Sequence, residues 1–157
     1  MKTPYAMFTK IVLFVIGVLG VPFAHAQQVA VASGDVKWVN APASLPPGAK
    51  LAMLKGDLAK DGTLAFRLKL PADYRLMPHS SPAIGRLLVV SGTFNLGAGE
   101  KFDAARTIPL YAGYMHWPDK SPSFAWTKEE TVIEIEGFGP FAVSYVNPGD
   151  DPVKRKK

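Results

Sequence analysis

Two histidines, His79 and His116, are the residues of this chain best suited by type to chemistry. The third, His25, lies at the end of an apolar leader, and there is no cysteine. Imidazole nitrogens combined with carboxylate oxygens suit iron, manganese, nickel or zinc. His79 and His116 are therefore the candidate metal ligands, with Glu134 and Glu136 as candidate carboxylates. Two imidazoles and one carboxylate would repeat the facial-triad pattern. The histidines also stand near serines: Ser81 is two residues after His79, and Ser123 is seven after His116. A serine becomes a nucleophile only beside a positioned base. On an extended strand His79 and Ser81 would share a face. No orienting acid or oxyanion donor accompanies them, so no catalytic residue is assigned. The lack of cysteine excludes thiol catalysis, thiolate metal ligands and disulfides.

Strands must hold these side chains. Leu64, Phe66, Leu68 and Leu70 alternate with Thr63, Ala65, Arg67 and Lys69. That period of two predicts a strand with one buried face, ended by Pro71. Further strands are expected at 36–39, 51–54, 87–96, 112–117, 123–127, 131–136 and 141–146. Ser91 and Gly92 interrupt the segment 87–96. A glycine inside a strand predicts a bulge or a sharp bend, as at a barrel corner. Pro42, Pro46 and Pro47 exclude helix from 41–48. Segments 112–117 and 123–127 flank a proline-bounded turn and read as one hairpin. A register pairing 116 with 123 would face His116 toward the site, and a shift of one would turn it away. The sequence leaves that register open. Short strands divided by Gly and Pro, with no helical period, predict an all-β fold, a small antiparallel barrel.

Lys2 and Lys10 precede or open an apolar run over 11–23, and Ala24-His25-Ala26 follows it. This is the layout of a secretory signal peptide cleaved after Ala26. The run falls short of the roughly 20 residues that span a membrane. The expected organisation is a leader over 1–26, a lead-in over 27–35, one β domain over 36–152 and a basic tail over 153–157. The expected location is periplasmic or secreted, with no stable membrane insertion once the leader is cut. The formal net charge is +5, but the chain ends on Lys154-Arg155-Lys156-Lys157. The basic balance is thus read as a solvated tail, and nucleic acid is not an expected partner.

Two segments resemble the two cupin motifs. Residues 73–92 (DYRLMPHSSPAIGRLLVVSG) follow the spacing of G-x5-H-x-H-x3-E-x6-G without a gap. His79 and Gly92 match, while Asp73, Ser81 and Gly85 replace the opening Gly, the second His and the Glu. Residues 113–127 (GYMHWPDKSPSFAWT) follow G-x5-P-x-G-x2-H-x3-N with one residue missing before Pro118. There Lys120, Ser123 and Thr127 replace the Gly, the His and the Asn. The resemblance implies a jelly-roll, or double-stranded β-helix. It also implies a metal site whose ligand positions here are His79, Ser81, Gly85 and Ser123. With those substitutions no cofactor is expected, and a divalent ion held by His79 and His116 is the alternative. The pocket expected from it comprises His79, Ser81, Gly85, Ser123 and His116, and the space left by the lost ligands is either open to a ligand or filled by neighbours. The function implied is an exported module with a degenerate metal site that binds a small molecule or a partner without catalysis. The alternative is a metal-dependent oxygenase or isomerase with relocated ligands. A purely structural, partner-binding domain and a homodimer are also compatible.

Overall fold

The computed structural model describes residues 36–116 and 121–156, with the backbone alone for Tyr114, His116 and Lys156. The leader over 1–26 and the whole lead-in over 27–35 lie outside the described residues. Among the described residues eleven strands follow in chain order: β1 (Val39–Asn40), β2 (Lys50–Lys55), β3 (Gly62–Leu70), β4 (Arg75–Ser80), β5 (Ile84–Ser91), β6 (Phe94–Ala98), β7 (Ile108–Leu110), β8 (Gly113–His116), β9 (Ser123–Trp126), β10 (Thr131–Gly139) and β11 (Ser144–Tyr145). They form two sheets, ordered β1-β2-β3-β10-β5-β8 and β11-β4-β9-β6-β7. All the strand pairs are antiparallel. From β3 onward the chain passes repeatedly from one sheet to the other, in a jelly-roll arrangement.

The alternation in β3 does what its period dictates. Leu64, Phe66, Leu68 and Leu70 are buried and pack with Leu87, Val89, Ile133 and Ile135 of the same sheet. Phe94 and Ala125 close the core from the other sheet. Phe66 is fully buried, and its ring meets Phe141 edge-on at 5.2 Å between centroids.

The segment 87–96 is two strands, β5 and β6, in different sheets. Gly92 is the corner, with φ of +77°. A Cβ there would stand 2.6 Å from both the Glu130 carbonyl oxygen and Thr131 Oγ1. The corner thus needs both the left-handed backbone and the missing side chain. Asp73 takes the first motif's opening glycine position and keeps a left-handed backbone, with φ of +57°. Aspartate is among the few residues that tolerate it.

Four expectations are corrected. Residues 36–38 are not strand, and Trp38 instead receives Lys69 Nζ 4.8 Å from its ring centroid. The strand expected over 141–146 shrinks to β11, because Phe141 and Val143 pack against the core. The hairpin of 112–117 with 123–127 does not exist: β8 pairs with β5 in one sheet, and β9 pairs with β4 and β6 in the other. The basic tail is not simply solvated. Arg155 folds back, donating from Nε to the Gly149 carbonyl (2.6 Å) and pairing with Asp150 (2.7 Å).

The proline-rich segment 41–48 closes one end of the sandwich. Tyr74 donates to the Pro46 carbonyl (2.9 Å) and Tyr145 to the Ser44 carbonyl (2.8 Å). These two bonds seat Leu45, which is buried against the core.

Candidate functional site

His79 stands near the end of β4, directly opposite Ser123 of β9. Both are buried, as is Ser81. Ser81 is not on the strand. It opens a tight turn in which its carbonyl accepts from the Ile84 amide at 3.2 Å. The turn folds back, so Ser81 still borders the same interior hollow as His79. Its hydroxyl has no protein partner among the described residues.

The His79 ring is already engaged. Its Nδ1 lies 2.9 Å from the Met77 carbonyl oxygen. A carbonyl only accepts, so Nδ1 carries the proton and Nε2 remains. Burial pushes the imidazole below its ordinary pKa, against the Met77 and Ser123 carbonyls, which favour the charged ring. The Tyr145 ring lies 6.0 Å away, and burial raises its phenol well above the usual range.

A pH dependence follows from the burial of His79. The unfolded chain takes up its proton near the ordinary imidazole pKa of 6.5, and the folded chain does so only at lower pH. Stability from this residue is present above that value and is lost as pH falls toward the folded pKa. The steepest slope is about 1.4 kcal/mol per pH unit. Denaturant melts of the wild type and His79→Gln at pH 7.5, 6 and 5 should show the variant losing less stability on acidification. Equal losses would show that His79 does not set the acid sensitivity.

The other proposed site residues lie elsewhere. Gly85 is the extra residue of a bulge, because Arg86 pairs with Glu136 and Ile84 with Gly137. It borders a shallow surface hollow with Lys55, Thr63 and Glu136. Ile84 takes the interior position instead. The His116 backbone sits opposite Arg86 at the margin of the six-stranded sheet, so neither register considered for it applies. The candidate carboxylates alternate with the buried Thr131, Ile133 and Ile135, and so lie on the sheet's other face. Glu134 pairs with Arg67 (2.8 Å) and Glu136 with Arg86 (3.2 Å). Of the proposed residues whose side chains are described, the structure therefore brings together His79, Ser81 and Ser123 alone. No group of three His, Asp or Glu side chains converges among the described residues. One imidazole with a single remaining nitrogen and two neutral hydroxyls do not fit a divalent ion.

Two hollows adjoin these residues. The interior one, beside His79 and Ser81, measures about 30 Å³ and is otherwise lined by apolar side chains such as Leu68, Leu87, Phe94 and Ile135. That is room for water, far below a small-molecule site of roughly 300 Å³ or more. The second opens at the mouth of the sandwich and measures about 360 Å³. Leu96, Ile108, Leu110 and Met115 line it, with the buried Ser123 and with Arg106 as its only charged described residue. Leu96 borders both hollows. Sequence reading missed the mouth, because β7 is a three-residue strand centred on Pro109. Ile108 and Leu110 flanking that proline were the available signal.

No family model matches the chain. No curated protein matches it either. Solved structures do. The polyketide cyclase RemF from Streptomyces resistomycificus is 18% identical, with a TM-score of 0.61 over 82% of this chain and 92% of the cyclase. A RmlC-like cupin from Shewanella frigidimarina is 12% identical, with a TM-score of 0.51 over 71% of this chain and 90% of its own. Salicylate 1,2-dioxygenase from Pseudoaminobacter salicylatoxidans is 14% identical, with a TM-score of 0.52 over 68% of this chain and 31% of the dioxygenase. The fold is the cupin fold, as the two motif segments imply. At such identities the likeness speaks for the fold alone.

Proposed function

We infer that this chain is an exported cupin-fold module that binds a small molecule with an apolar body at the mouth of its sandwich and catalyses nothing. One observation carries the reading. The residues at the motif's ligand positions are a buried, carbonyl-bonded imidazole, two hydroxyls and a bulge glycine, while an apolar hollow of about 360 Å³ opens beside one of them, Ser123. A mostly apolar concavity with a few polar groups is the common form of a small-molecule site. The leader over 1–26 supports export.

The test uses protein from the periplasmic fraction, where mass spectrometry should find a chain beginning at Gln27. Elemental analysis should find no stoichiometric metal. Anything that binds the native state raises the melting temperature by mass action. Iron, manganese, nickel and zinc at modest excess should leave that temperature unchanged, as should a chelator. A clear rise with one ion, abolished by His79→Ala, would sink the non-catalytic reading in favour of a metal-dependent enzyme.

A further inference from the structure

We propose that the molecule held at the mouth is an organic anion, with an apolar body in the hollow and a carboxylate or similar head on Arg106. This rests on the reading of the mouth as the binding site and adds the charge of the ligand.

Arg106 closes a short 3₁₀ turn, 104–106, and itself lines the hollow. The turn is braced. Asp103 caps it, its carboxylate accepting from the Ala105 amide at 3.0 Å. Thr107 Oγ1 donates to the Ala104 carbonyl at 2.8 Å and accepts from Trp126 Nε1 at 3.1 Å. Asp103 is thus spent on the backbone. Among the described residues the Arg106 guanidinium makes no ion pair or side-chain hydrogen bond.

Other arginines of the fold are engaged. Arg67 and Arg86 pair with glutamates, Arg155 with Asp150, and Arg75 lies over the Phe102 ring. Arg106 differs in facing a hollow whose remaining described walls carry no charge. Ile108 adds an aliphatic surface that is 69% exposed, at the same rim. A planar guanidinium recognises a carboxylate through two parallel hydrogen bonds. An apolar wall beside it favours a ligand whose body leaves water. The two features select a molecule with both parts.

Calorimetry with phenylbutyrate and phenylbutanol, which match in body and differ in charge, separates the two claims. The wild type should bind phenylbutyrate about tenfold more tightly, as a charge-assisted pair allows. Arg106→Gln should erase that preference and leave phenylbutanol binding unchanged. Ala98→Phe adds a ring to the wall at an exposed position and should abolish both. If the wild type binds both probes equally, or Arg106→Gln keeps the preference, the anion is wrong and the mouth remains a binding site. If neither probe binds the wild type, or Ala98→Phe leaves binding intact, the mouth itself is wrong and the anion falls with it.

Discussion

Gly137→Ala is expected to lower the melting temperature by roughly 10 °C, while Gly85→Ala across the same strand junction leaves it nearly unchanged. A Cβ on Gly137 would overlap the Ala83 carbonyl, a backbone group that no side-chain rotation can move. A Cβ on Gly85 would meet only the Glu136 carbonyl oxygen, at an ordinary 3.7 Å. Making room at position 137 means parting β10 from the turn that carries Ser81, whose ladder includes the Phe138 amide donating to the Ala83 carbonyl at 3.0 Å. Forcing atoms into packed structure costs about 1–3 kcal/mol, and an immovable backbone neighbour puts this case at the upper end. For a domain of this size each kcal/mol moves the midpoint by about 4 °C. Thermal unfolding of both variants decides the point. Equal shifts would mean the bulge is not where the register places it.

Phe66→Ala should cost still more, about 3–5 kcal/mol. The ring is fully buried, and it is the largest side chain at the centre of the six-stranded sheet's inner face. Its loss removes the edge-on contact with Phe141 and the transfer free energy of the ring, and leaves a void. The surrounding strands are tied by backbone ladders on both sides, to β2 and β10, and cannot close in fully. Denaturant unfolding should show the midpoint falling with little change in slope. A cost below about 1 kcal/mol would indicate a site able to collapse.

The fold was legible because two signals agreed. The alternation around Phe66 marks a half-buried strand wherever that strand ends up. Gly92 marks a corner, and the structure turns there from one sheet to the other. Pairing was less legible. β8 and β9 are neighbours in sequence that hydrogen-bond to strands of different sheets, and local spacing carries no information about that. The site was legible only around β4. His79 is buried as the motif implies, but a single bulge residue exchanges Gly85 for Ile84 at the interior position. A bulge changes the face of every residue behind it without changing the spacing. Glu134 and Glu136 were misplaced for a related reason. Their alternation with Ile133 and Ile135 was plain, and it directs them to the outer face, where Arg67 and Arg86 await them.

Pro109 at the middle of β7 has a consequence beyond the mouth that its neighbours Ile108 and Leu110 line. A strand at the margin of a sheet offers unpaired amides and carbonyls to any other extended chain, and so invites aggregation. Proline has no amide hydrogen to offer, so β7 is a poor template. β1 and β11 are two residues each, too short to recruit a partner. The remaining margin, β8, is four residues long and without proline. Among the described residues, three of the four sheet margins are therefore blunted against strand addition, and β8 is the margin without such a device.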